Sequence, residues 1–319
     1  MPDPADGDVT HAVAPAIVPA RDAATIMLVR DGAGGALEVC MVRRHLDSDF
    51  VGGAYVFPGG KLDEADRGET ATATCIGRDD SQASTLLGVA RGGLAFWVAA
   101  LRECFEEAGV LLCYRRGARP GDEPVDARDP EERARLTAMR ARLLAAGHEA
   151  DFLGACAQED LCLAVDRVHY FSHWITPEPA PKRYDTRFFV AALPPGQVPV
   201  HDDLETVDTV WVEPADALAR AQAGEFDLIF PTMKNLEAIS RFATAAELLV
   251  AAAVVEQVPA VLPRVVVDER GFRILLPGDE GYDEAVTRPA EAAASRAAST
   301  HDVAEAIRSI GIDGRAERR

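Results

Sequence analysis

The segment that most constrains this chain runs from residue 94 to 110, LAFWVAALRECFEEAGV, where apolar side chains recur at helical spacing until Gly109 ends the pattern. At about 100° per residue, Glu103, Glu106 and Glu107 fall on one face of that helix. Ala100, Leu101, Cys104, Phe105 and Ala108 fall on the other. One side must therefore sit in a core while the other presents three carboxylates. Like charges at these spacings destabilise a bare helix by roughly 0.2–0.5 kcal/mol per pair. A divalent cation with oxygen ligands would offset that repulsion. A solvated acidic face is the plainer reading of an isolated helix, so the surrounding sequence has to decide.

The surroundings read as a mixed α/β chain. Residues 24–29 (ATIMLV) and 37–42 (LEVCMV) are expected strands around the turn signal Asp31-Gly32-Ala33-Gly34-Gly35. Residues 167–176, 186–192 and 206–212 are further strands, and 213–223 and 233–258 read as helical. Pro130, the acidic residues behind it and Gly147 bracket a helix over 130–146. Residues 67–85 and 115–130 are expected loops, and 261–276 a terminal hairpin around Glu269-Arg270-Gly271. Residues 1–20 and 287–319 are expected to be a disordered N-terminus and a flexible tail, flanking a domain over 21–286.

Totals exclude several classes. The 33 basic against 52 acidic residues, a formal charge of −19, disfavour sequence-independent binding to nucleic acid, which needs Lys and Arg against phosphate. No apolar run approaches the ~20 residues that cross a bilayer, so no membrane span is expected. The N-terminus is acidic and lacks the apolar segment of a secretion signal. Six cysteines without a CxxC pair fit reduced thiols in a cytoplasmic protein better than disulfides or zinc. His169 and His173 sit four apart on an expected strand, roughly 13 Å along the chain, too far to share one metal. Nothing in the sequence sets an oligomeric state.

Upstream of the glutamates stand Phe57-Pro58-Gly59-Gly60 and Asp66, and Arg102 precedes Glu103. Together these resemble the Nudix box, G-x5-E-x7-R-E-U-x-E-E-x-G-U, with U a bulky aliphatic residue. Gly60, Arg102, Glu103, Glu106, Glu107, Gly109 and Val110 match it. Asp66 stands where the family has Glu, and Cys104 stands at an aliphatic position. The 35 residues at 67–101 replace the pattern's seven, an insertion of 28. A long surface loop costs little extra free energy, so the split box is tolerable. The coenzyme A and acyl-coenzyme A diphosphatases of peroxisomal type carry a comparable insertion. They look similar also at His173-Trp174-Ile175-Thr176-Pro177, at Arg183-Tyr184-Asp185-Thr186-Arg187-Phe188-Phe189, and around Pro231-Thr232 and Asn235-Leu236. The terminal Glu317-Arg318-Arg319 is not a peroxisomal address.

The resemblance implies a Nudix α/β/α sandwich with mixed sheet and added helical segments, one inside the box at about 67–94 and one at about 115–160. It implies hydrolysis of a pyrophosphate bond in a nucleoside diphosphate linked to a second group, with coenzyme A or its acyl thioesters leading. ADP-ribose, NAD(H) or another nucleotide conjugate is the alternative, and a non-catalytic metabolite-binding module is a further one. It implies Mg²⁺ or Mn²⁺ held by Glu103, Glu106, Glu107 and the Gly60 carbonyl, with Arg102 in the catalytic set. Asp202, Asp203 and Glu205 are candidates for a general base, Glu205 foremost. Arg43, Arg44, Arg183 and Arg187 are candidates for binding substrate phosphates.

Overall fold

The computed structural model describes residues 17–46, 52–178, 180–268 and 271–287, so the two expected mobile termini lie mostly outside the described residues. Along the chain the strands are β1 (Arg21–Asp31), β2 (Leu37–Arg44), β3 (Tyr55–Val56), β4 (Gly59–Lys61), β5 (Cys75–Ile76), β6 (Cys113–Arg115) and β7 (Leu161–Ala164). They continue as β8 (His169–Ile175), β9 (Tyr184–Ala192), β10 (Thr206–Val212), β11 (Ala260–Val261), β12 (Arg264–Asp268) and β13 (Gly271–Leu275). The helices are α1 (Glu69–Thr74), α2 (Asp80–Leu87), α3 (Leu94–Ala108) and α4 (Pro130–Ala146), then α5 (Phe152–Gln158), α6 (Pro214–Gln222), α7 (Phe230–Ile239) and α8 (Ala245–Ala253).

The main sheet runs β10-β2-β1-β9-β8-β11, with β3 added to β2 and β4 to β1. Its centre is parallel: β1 pairs with β9 from Arg21↔Tyr184 to Val29↔Ala192. Such a strand is covered on both faces, which is why β1 reads as a nearly unbroken apolar run. Its two side-chain rows feed two cores. Ala24, Ile26 and Leu28 pack with α3, whereas Met27 and Val29 pack with Leu236 of α7 and Leu248 of α8. Strand β9 divides the same way, Phe189 and Ala191 to the first core, Phe188 and Val190 to the second. Helices therefore cover both faces, giving the α/β/α sandwich. A second sheet, β5-β7-β6, packs in the first core.

Two expectations need correction. Residues 67–85 are not loop, since they carry α1, β5 and most of α2. Helix α2 starts at a capping box, where Asp79 accepts from the Gln82 amide at 2.8 Å and Gln82 accepts from the Asp79 amide at 3.0 Å. The single helix over 233–258 is two helices, because Thr244 caps a new one at Ala245: its hydroxyl accepts from the Glu247 amide, while the Glu247 carboxylate accepts from the Ala243 amide. The terminal hairpin forms from β12 and β13, with its turn at Glu269 and Arg270 outside the described residues. Among the described residues no helix is long and apolar enough to cross a membrane.

Candidate active site

Helix α3 is fixed at both ends. At its start, Asp80 of α2 accepts hydrogen bonds from the Gly92 amide at 2.9 Å and the Leu94 amide at 3.0 Å. The first turn of a helix has no internal partners for its amides, so the inserted segment supplies the cap. At its end, Gly109 takes the left-handed conformation, φ 70°, that glycine adopts without steric cost. There Arg140 of α4 donates to the carbonyls of Glu106 at 2.8 Å and Glu107 at 3.2 Å. A cation on the last carbonyls also complements the helix dipole.

The three glutamates meet the Gly59-Gly60 strand β4. Glu107 is buried and its Oε2 accepts from the Gly59 amide at 2.9 Å. Burial pushes its pKa well above the usual range and Glu103 adds to the shift, while Arg44 and the Gly59 amide oppose it. Burial likewise lifts Glu103, to about 7, against the pull of Arg102. Glu106 is raised by burial too, with Arg102 opposing. A side chain at Gly60 would place its Cβ 2.5 Å from Glu103 Oε1, so glycine here lets the strand approach the carboxylate without displacing it.

Arg102 binds these parts together. Its Nε and Nη2 donate to the two oxygens of Asp66 at 2.9 and 3.0 Å, a bidentate pair buried on both sides. Its Nη1 donates to Glu103 at 2.9 Å and Glu106 at 3.0 Å, and its Nη2 to the Lys61 carbonyl at 3.1 Å. Burial works against the guanidinium's charge, but Asp66, Glu103 and Glu106 outweigh it and hold Arg102 protonated. Asp66 thus reaches Arg102 across the 35-residue spacer between them in sequence, because α1 and α2 fold aside from the pair.

These groups line a cleft of about 790 Å³. Of the four arginines expected at substrate phosphates, Arg44 lines it and Arg43, Arg183 and Arg187 do not. Arg43 donates to the Gly53 carbonyl at 3.2 Å. Arg183 is buried and donates to the carbonyls of Thr176 and Val18 at 3.0 and 2.8 Å. Arg187 is buried over the Phe96 ring and paired with Asp185. The last two lie on or beside a central strand, where an arginine must find internal partners or forfeit its solvation. Asp185 also bonds His173.

The acidic loop before β10 separates its three candidates. Asp202 is occupied by its own loop, accepting from the amides of Leu204, Glu205 and Thr206. Asp203 is exposed and pairs with His201 at 3.0 Å. Glu205 is exposed to the cleft, with its backbone held between Asp202 and the His45 amide, which donates to its carbonyl at 2.8 Å. Its charge acts on both Glu103 and Glu107. Among the described residues, no three carboxylate, imidazole or thiol groups already converge at ligating distance. Arg102 holds Glu103 and Glu106, and the Gly59 amide holds Glu107.

The model of the NUDT19 Nudix domain matches residues 71–239, more than half of the chain. The chain is a Nudix hydrolase. Among curated relatives, human acyl-coenzyme A diphosphatase NUDT19 is 30% identical over 275 residues, covering 76% of this chain and 72% of that protein. The chicken (Gallus gallus) protein of the same name is 28% identical, covering 83% of this chain and 80% of its own length. Among solved structures, a Nudix hydrolase from Alicyclobacillus acidocaldarius superposes with a TM-score of 0.54 at 29% identity, covering 74% of this chain and 97% of its own. Two residues that sequence reasoning missed belong to this Nudix site as positioning groups. Asp80 caps α3 from a segment read as loop, and Arg140 reaches α3 from a distant helix, a contact no local pattern signals.

Proposed function

We propose that the protein hydrolyses the pyrophosphate bond of coenzyme A or an acyl-coenzyme A, releasing 3′,5′-ADP and a 4′-phosphopantetheine product. The observation that carries the chemistry is the cluster of carboxylates on α3 facing an open cleft, where the charge of Glu205 raises the proton affinity of both Glu103 and Glu107. The names of the human and chicken relatives support the substrate.

The donor set fits a hard divalent cation such as Mg²⁺ or Mn²⁺: it is all oxygen, and buried like charges this close call for a counter-cation. Glu103, Glu106, Glu107 and the Gly60 carbonyl would hold it. When bound, it polarises a phosphoryl oxygen and lowers the pKa of water at the site. Arg44 binds a substrate phosphate oxygen in the cleft. Glu205 accepts the proton of the attacking water, the role its exposed carboxylate and anchored backbone suit. Arg102 holds Glu103 and Glu106 in place through Asp66. A cytoplasmic location is proposed from the free thiols of all six cysteines.

A panel of coenzyme A, acyl-coenzyme A, ADP-ribose and NADH, assayed with Mg²⁺, with Mn²⁺ and with EDTA, tests this. Cleavage of coenzyme A species that EDTA abolishes is expected. Preference for ADP-ribose or NADH would replace the substrate, and turnover indifferent to EDTA would remove the metal.

A further inference from the structure

Two walls of different chemistry flank the carboxylates in the cleft. One carries Trp174, Tyr184 and Phe230, with Trp174 and Phe230 in edge contact at 6.0 Å between ring centroids. The buried Trp174 Nε1 has no hydrogen-bond partner. Trp174 belongs to the core under α7 and α8. The other wall is mostly aliphatic and comes from the opposite face of the sheet: Leu143 and Leu144 at the end of α4 and Leu153 at the start of α5, with His148 and Phe152 beside them. This corner is the inserted segment at 115–160. The insertion inside the box contributes no lining residue from 67 to 94 among those described.

The aliphatic corner abuts the reacting end of α3. Arg140, one turn before Leu144, donates to the Glu106 carbonyl, and the Phe152 ring lies 6.4 Å from that of Phe105. A group seated there is attached close to the phosphate that the carboxylates face. The two halves of a coenzyme A diphosphate differ in that respect. On the adenosine side a hydroxylated ribose follows the phosphate. On the other side the ester methylene is followed at once by a carbon bearing two methyl groups. A corner next to the phosphate site whose side chains are apolar but for His148 matches the branched carbon, whereas a planar base matches the aromatic wall.

We propose that the α4–α5 corner, with Leu144 as its contact residue, seats the pantetheine arm of the substrate and so selects branched alkyl phosphates over a second nucleoside. This rests on the coenzyme A reading above. Leu144 is the informative position. It lines the cleft while half-exposed, whereas Leu143, Phe152 and Leu153 are buried in the core. Loss of the leucine contact together with a new carboxylate facing the ligand should weaken binding by at least about tenfold, ~1.4 kcal/mol.

The test is calorimetric binding of 4′-phosphopantetheine and of 3′,5′-ADP, in Mg²⁺ buffer, to the full chain and its Leu144→Asp and Leu144→Met variants. Leu144→Ser replaces the aspartate if melting shows that the charge disturbs α4. Leu144→Asp should lose phosphopantetheine affinity by that factor and keep 3′,5′-ADP affinity within about twofold, and Leu144→Met should keep both. A wild type that cleaves coenzyme A, with a Leu144→Asp variant that binds phosphopantetheine unchanged or loses both ligands equally, overturns the corner alone. A wild type that neither cleaves coenzyme A nor binds phosphopantetheine overturns the functional reading with it.

Discussion

Replacing Asp66 with alanine removes both charge-assisted bonds to Arg102 and the bond it accepts from the Asp63 amide at 2.7 Å. Breaking a buried ion pair by deleting one partner costs about 3–5 kcal/mol, because the other charge is left uncompensated. Here Arg102 keeps Glu103, Glu106 and the Lys61 carbonyl, so its charge is not stranded and the lower end applies, about 3 kcal/mol. Urea unfolding followed by tryptophan fluorescence measures it. With a slope of ~3 kcal/mol per molar, the midpoint should fall by about 1 M. Asp63, exposed and 3.6 Å from the same guanidinium, is the internal control, and Asp63→Ala should cost below ~0.5 kcal/mol. A loss under about 1 kcal/mol for Asp66→Ala, or equal losses for both variants, would refute the reading of this pair as the link that joins the turn after strand β4 to α3.

Other consequences follow from the same contacts. Arg140→Ala leaves the last carbonyls of α3 without their partner and should cost about 1–2 kcal/mol by thermal melting, with kcat reduced as the glutamates lose alignment; unchanged stability would contradict its capping role. Burial, and then the nearby Arg78 cation, lower the pKa of His169 below the ordinary 6.5, so the folded chain favours its neutral form. The unfolded chain takes up that proton first, so stability should be full above pH 6.5 and decline as pH falls below it. His169→Gln should flatten that stretch of the stability–pH curve, and an unaltered curve would count against it. Burial pushes the thiols of Cys40, Cys75 and Cys113 up to about 12. Cys40 and Cys113, the two that are fully buried, should resist a disulfide reagent at pH 8 until denaturant is added, and their rapid labelling in the folded protein would contradict the burial.

The parts legible in sequence were those whose physics is local. The two-sided apolar run of β1 and the Pro130-to-Gly147 brackets of α4 gave their elements directly, since period and caps act within a few residues. The helix caps at Asp79 and Thr244 were equally local but were outweighed by polar composition in one case and by apolar continuity in the other. Arginine roles were not legible: Arg44 lines the cleft while Arg183 and Arg187 serve the strand interior, and only pairing register tells them apart. The glutamate triplet was readable from spacing, but the groups that act on it, Gly59 on β4 and Glu205 in the loop before β10, converge from separate segments. Arg140 lies beyond any such pattern, because its target carbonyls belong to another helix.

The central claim is that the carboxylates of α3 drive cleavage of the coenzyme A diphosphate. Mass-spectrometric identification of products from coenzyme A with Mg²⁺, comparing the intact chain with Glu107→Gln, tests it most directly. The account predicts 3′,5′-ADP and 4′-phosphopantetheine from the intact chain, and a loss of at least about 10²-fold in kcat for a Glu107→Gln variant that remains folded. Equal product formation by the two proteins, or cleavage at any bond other than the pyrophosphate, would contradict it.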